Sequence, residues 1–168
     1  MKEDKRLALL KELLKNSKRS DRELAKAIGA SQPTVTRNRK LLAKYIRSYT
    51  IVPEFEKIGY EILAFTFAKA RTYSKNEIDA KMELARKWVT QHPNIVFASD
   101  GEGIGKDVVL ISLHTNYSKY ADFMRDYSVS FSDFLGDIQS FIVSLKTGIL
   151  FKPFDLTYLS EDVRPPPP

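Results

Sequence analysis

The chain has 168 residues, 43% hydrophobic and 29% charged, which suits one ordinary domain or two small ones with packed cores. The absence of cysteine excludes a disulfide frame and a thiolate metal site, and the two histidines, His92 and His114, lie too far apart to suggest a histidine-rich metal centre. The net charge of +6 is unevenly placed: residues 1–50 hold 14 Lys and Arg against 5 Asp and Glu, and the remainder holds 13 against 16. A basic head on a slightly acidic body implies that the head meets a polyanion. The N-terminus alternates charges with leucines, unlike a signal peptide, and no stretch reaches the ~20 apolar residues of a membrane span. The expected location is cytoplasmic.

Residues 5–16 carry Leu7, Leu10, Leu13 and Leu14 at helical spacing. Ser20-Asp-Arg-Glu23 is a capping box that opens a second helix through Leu24, Ala25 and Ile28, with Gly29 free to end it in a left-handed conformation. Ser31 caps a third helix whose first turn tolerates Pro33, and Val35 and Leu42 form its inward stripe. Three short helices with a four-residue turn around Gly29 make a helix-turn-helix. Residues 46–53 then alternate and are rich in β-branched and aromatic side chains, which predicts a short strand or wing closed by Pro53.

Residues 54–60 form a linker or a helical turn. From Glu61 the pattern switches between periods of two and 3.6. Residues 62–70 predict a strand with Leu63, Phe65 and Phe67 on one face. Ser74-Lys-Asn-Glu77 is a second capping box, opening a helix with Ile78, Met82, Ala85 and Val89 inward. Residues 95–99 and 108–114 predict strands around the loop Asp100–Asp107. Asn116 caps a helix carrying Tyr120, Phe123, Met124 and Tyr127, and residues 138–145 form a last strand. The resulting α+β plan is an N-terminal winged helix-turn-helix (1–53), the linker (54–60), a ferredoxin-like β-α-β-β-α-β domain (61–146) and a C-terminal extension (147–168). That extension carries an apolar patch, Ile149, Leu150, Phe151, Phe154 and Leu156, which should pack on something, a partner subunit being one candidate, before four terminal prolines.

In a helix-turn-helix the second helix of the motif enters the major groove, which makes double-stranded DNA the expected partner. Gln32 and Thr34 lie at its N-terminal end, and Thr36, Arg37, Arg39, Lys40 and Lys44 are further candidates for base edges or phosphates; Asn38 depends on helix phase. The bland alternative is a three-helix cap that binds protein.

The string LLKELLKNSKRSDRELAKAIGASQPTVTR, followed by YIRSYTIVPEFEKIGY, resembles the Lrp/AsnC family of prokaryotic transcriptional regulators, with an archaeal-type cast. The Ser31 cap, Val35 and Leu42, the wing at residues 46–50, Lys57-Ile-Gly-Tyr60 and the split α/β plan carry the resemblance over residues 5–146. It implies a homodimer, or an octamer built from dimers, and a small-molecule, amino-acid-like effector near the turn Asp100–Asp107. There the family's Gly and Asp are similar to Gly103 or Gly105 and to Asp107, with Gly101 alongside, and Asp107 or Asp100 would accept a ligand's ammonium. Two departures stand out: the stretch from Val35 to Ile46 is about two residues short, and Lys44 or Tyr45 replaces the glycine before the wing.

The glycines of that loop do not make a phosphate loop, because a strand rather than a helix follows them. Nothing in the sequence assigns catalytic or metal-ligating residues or a cofactor, and His92 and His114 read as ordinary residues. Two competing readings share the plan: an enzyme similar to siroheme decarboxylases, and a protein-interaction adaptor using the apolar tail.

Overall fold

The computed structural model describes residues 5–71 and 75–164, without the side chains of 75–78. It divides into two compact units, one of Met1–Val52 with Lys152–Pro168 and the other of Pro53–Phe151. Among the described residues no helix is long and apolar enough to cross a membrane.

The first unit is built on α1 (Lys5–Lys15), α2 (Asp21–Ala27) and α3 (Gln32–Leu42). The Ser20 hydroxyl accepts from the Glu23 amide while the Glu23 carboxylate accepts from the Ser20 amide, so the expected capping box forms. Gly29 ends α2 at φ +57°, a left-handed conformation that costs glycine little. The Lys5 ammonium donates to the Ile28 carbonyl at 2.7 Å and satisfies one of the orphan acceptors there. Leu9, Leu13, Leu24, Ala25, Ile28, Val35 and Leu42 form the core. The seam of α1 is Leu9 and Leu13 with Ala8, while Leu7, Leu10 and Leu14 are only half-buried, because the helix phase follows the packing partners rather than the leucine count.

Residues 46–53 are extended but pair with nothing, so the expected strand is absent and the segment has no ladder of its own. The chain returns to this unit at its end: a 3-10 turn, Thr157–Glu161, lies against α1, with Ser160 buried and the Glu161 carboxylate 3.5 Å from the Lys15 ammonium. Part of the extension therefore has its packing partner in its own chain. The terminal prolines lie outside the described residues.

The second unit begins with a 3-10 turn, Phe55–Ile58, closed by Gly59. It continues as β1 (Ile62–Ala70), α4 (Lys75–Gln91), β2 (Ile95–Gly103), β3 (Lys106–His114), α5 (Tyr117–Ser130) and β4 (Leu135–Ser144). The strands make one antiparallel sheet in the order β2-β3-β1-β4, the ferredoxin-like arrangement. On β1, Ala64, Thr66 and Ala68 are buried and Leu63, Phe65 and Phe67 half-buried, the alternation of a strand with two differently covered faces.

The core of this unit joins Trp88 of α4 to Phe123, Tyr127 and Phe131, ring centroids 5.3–5.4 Å apart, above Ala68, Leu110 and Leu135. The inward stripe of α4 is thus Ala85, Trp88 and Val89; Met82, expected inside, is exposed, and Ile78 and the Ser74–Glu77 capping box lie outside the described residues.

The segment Asp100–Asp107 is a correction as well. Instead of a glycine-rich loop, β2 and β3 extend to a two-residue turn, Ile104-Gly105, with φ of +48° and +70°. Both residues in the left-handed region define a type I′ hairpin turn, which favours Asn-Gly and disfavours a β-branched side chain at its first position. Replacing Ile104 by Asn is expected to raise stability by about 1 kcal/mol. A denaturation midpoint that stays put or falls in urea would show that the turn stores no strain.

Candidate DNA-binding surface

Ser31 caps α3 by accepting from the Thr34 amide, and Pro33 occupies the first turn. With Val35 and Leu42 fully buried, the helix phase is fixed and Gln32, Pro33, Thr36, Arg37 and Lys40 fall on the outside, lining a groove of about 470 Å³. Arg37 and Lys40 make no hydrogen bond or ion pair among the described residues. Their charges are therefore available to an external anion.

The other candidates are committed within the head. The Arg39 guanidinium lies 3.0 Å from the Asp21 carboxylate and donates to the Arg19 carbonyl at 2.9 Å, which makes it a clasp between α3 and α2 rather than an outward contact. The Thr36 hydroxyl donates to the same Asp21 carboxylate at 2.6 Å, although Thr36 still lines the groove. Thr34 and Ser31 share a hydroxyl–hydroxyl bond of 2.8 Å inside the cap. Asn38 is buried. Lys44 lies in the 3-10 turn Ala43–Tyr45 beyond α3, its ammonium 4.8 Å from the Tyr45 ring centroid.

Several other cations of the basic head are equally occupied: Lys5 on Ile28, Arg19 on Glu12, and Lys15 between Glu12 and Glu161. Arg22 of α2 and Arg47 of the extended segment are exposed and join the free set. The sequence reading passed over both, and their signal is only that each follows an element expected to lie near the backbone of a duplex.

At the hairpin the two candidate acids separate. Asp107 accepts from the Lys69 ammonium at 3.0 Å and from the Ala70 amide at 2.9 Å, pinning β3 to the end of β1, and these two donors hold its carboxyl below the ordinary value. Asp100 is exposed beside Gly101 and Gly103, both of which face open space, and Gly105 closes the turn. Lys106, almost wholly buried, donates to the Asp137 carbonyl at 2.9 Å and pairs with the Asp137 carboxylate, bracing the turn end of the same hairpin against β4.

The N-terminal segment, residues 2–44, matches the model of a winged helix-turn-helix DNA-binding family. No curated protein matches the chain in sequence. Among solved structures it is similar to a transcriptional regulator of Neisseria meningitidis, NMB0573, in complex with L-Met: 22% identity, TM-score 0.73, covering 85% of this chain and 90% of that one. LrpC of B. subtilis gives 22% identity, a TM-score of 0.65 and coverage of 92% and 99%. AsnC of E. coli gives 13%, 0.69, and 92% and 98%. At these identities the likeness is one of fold, and it is the fold that the sequence resemblance implied.

The clasp predicts a division between neighbouring arginines. Arg39→Ala is expected to cost about 1–2 kcal/mol of stability and to show positive coupling with Asp21→Ala in a double-mutant cycle, whereas Arg37→Ala should change stability by less than about 0.5 kcal/mol. Equal effects of the two alanines would refute the division. A helix-turn-helix head of the winged DNA-binding kind, on the two-domain fold shared by Lrp/AsnC-type transcriptional regulators, is what this chain is built as.

Proposed function

We propose that the protein is a sequence-specific DNA-binding transcriptional regulator that works as a homodimer or a higher oligomer in the cytoplasm, and is not an enzyme. The observation that carries this reading is the outer face of α3, where Gln32, Arg37 and Lys40 stand free on one groove while Arg39 of the same helix is tied to Asp21. Arg37 is suited to bidentate contact with guanine and Lys40 to phosphate, and the exposed Arg22 and Arg47 add backbone grip. The division of labour follows the sequence: a reading head over residues 1–53, a linker over 54–60, an assembly and sensing body over 61–146, and a tail over 147–168.

The sheet supports dimerisation. Its helix-covered face is closed, but the opposite face carries a row that crosses all four strands, Phe97, Ile111, Phe65 and Phe141, with Leu63, Phe67, Val109 and Val143 beside it. Phe97 is 50% exposed and Phe141 68%. A contiguous apolar face of this kind needs a cover, and a second copy supplies a self-complementary one. Dimerisation presents two recognition helices to a two-fold operator, with half-sites about one helical turn apart. The ligand-bearing Neisseria structure supports an amino-acid-like effector, for which Asp100 at the hairpin is the open acid.

Gel-shift binding to the protein's own promoter over a salt series tests the reading. Competitor-resistant binding that weakens steeply with salt is expected, and Arg37→Ala/Lys40→Ala should reduce it at least about tenfold without changing the melting temperature. Weak binding indifferent to sequence would overturn it. Phe141→Asp is expected to shift the sedimenting species toward monomer and to lower operator affinity with it; a dimer that survives the charge would move the interface elsewhere.

A further inference from the structure

At the end of the sheet away from the hairpin, the second unit holds a cleft of about 470 Å³ lined by Tyr60, His92, Leu113, His114, Phe123 and two acids of α5, Asp122 and Asp126, with Asn94, Thr115 and Lys119 at its margin. The volume is within the range of small-molecule sites. Asp122 and Asp126 are one helical turn apart, so their carboxylates share one side of α5. The apolar surface beside them comes from Phe123, which is buried.

The polar groups are arranged to leave net negative charge facing the cleft. Asp126 accepts from the Trp88 indole at 3.0 Å, and His92, whose Nδ1 bonds the Trp88 carbonyl at 2.7 Å, brings its Nε2 to 3.4 Å from the same carboxylate. Among the described residues Asp122 pairs only with Arg125, at 3.2 Å on the exposed side of the helix, a pair that water weakens. His114 bonds Ser112 through Nε2 at 2.9 Å, and burial lowers its pKa, so it stays neutral and adds no positive charge. Lys119 is the one lysine or arginine among the lining residues, and it is exposed.

We propose that this cleft binds a small organic amine, its protonated nitrogen held by Asp122 and Asp126 and its apolar or aromatic body laid against Phe123 and the ring of Tyr60. The site shares no residue with the hairpin and so adds a second signal to the proposed regulator. Tyr60 gives that signal a route. It ends the segment that leads into β1, and its neighbour Glu61 is fixed by its backbone N–H donating to the His114 carbonyl at 2.9 Å and its carbonyl accepting from the Leu145 amide at 2.8 Å. A ligand in the cleft therefore touches the connecting segment directly, beside a rigid anchor.

The chain contains a single tryptophan, Trp88, and its indole rests on Asp126, so the protein carries its own reporter. Titration of the full chain with phenethylamine is expected to change Trp88 fluorescence saturably in the millimolar range or below, with calorimetry giving the same constant, while the anionic 3-phenylpropionate leaves it unchanged. Asp122→Asn/Asp126→Asn, which keeps an acceptor for the indole, should weaken the amine at least about tenfold, and Lys119→Glu should tighten it. If the double variant fails to melt cooperatively, Asp122→Asn alone carries the comparison. No saturable change up to ~10 mM, equal affinity for amine and carboxylate, or an Asn variant that binds like the parent would each overturn the proposal.

Discussion

Asp21 stands in the first turn of α2 with its carboxylate turned to α3, where it takes the Thr36 hydroxyl at 2.6 Å and the Arg39 guanidinium at 3.0 Å. Val35 and Leu42 fix how deeply α3 is buried, but apolar contact alone tolerates some rotation about the helix axis. A carboxylate meeting two side chains three residues apart does not, because a turn of α3 in either direction would lengthen one contact or the other. The burial of Val35 and Leu42 turns Arg37 and Lys40 outward, and this one acid holds that aim against rotation. Placing it at the start of α2 also complements the positive end of that helix, so the charge that aligns α3 is itself held where the backbone favours it.

The sheet obeys a different constraint. Toward α4 and α5 strand β1 presents the small residues Ala64, Thr66 and Ala68, with Ser112 of β3 beside them, and the Thr66 hydroxyl shares a 2.7 Å bond with Ser140. Small side chains on the sheet let large rings on the helices fill the layer, and Trp88, Phe123, Tyr127 and Phe131 do so. Leu63, Phe65 and Phe67 of β1 stand on the other face. The apolar row Phe97, Ile111, Phe65 and Phe141 is the counterpart of an aromatic-rich helix layer, and the same alternation that builds the monomer's core creates the surface proposed to join two copies.

The order of elements was legible because it is written in local chemistry. Caps at Ser20 and Ser31, the left-handed Gly29, the period-two run at residues 62–70 and the Asn116 cap each act within a few residues, and each forms as expected. What was not legible depends on partners distant in sequence. Residues 46–53 have strand composition but no neighbour to pair with, and β-propensity without a ladder leaves only extended chain. On α4, Ala85 and Val89 face inward as expected, but Met82 is exposed and Trp88 is the buried centre, because the partners that choose among neighbouring positions of one stripe lie on α5. The candidate site divided along the same line: Gln32, Arg37 and Lys40 could be read from helix phase, whereas the commitment of Arg39, Thr36 and Asp107 to Asp21, Lys69 and Ala70 is tertiary.

The charge of the head shows why a count of basic residues does not locate a nucleic-acid surface. Lys5, Lys15, Arg19 and Arg39 all contribute to the surplus that first suggested a polyanion, yet each is bound to an oxygen of the head or tail. Their acids, Glu12, Asp21 and Glu161, cancel their long-range field as well as their hydrogen-bonding capacity. The field that remains comes from the cations without partners among the described residues, and Arg37 and Lys40 stand together on a groove that α3 lines. A helix that commits Arg39 to orientation and leaves Arg37 and Lys40 for the ligand concentrates potential where contact is to be made, which is the condition for fast, salt-dependent association with DNA.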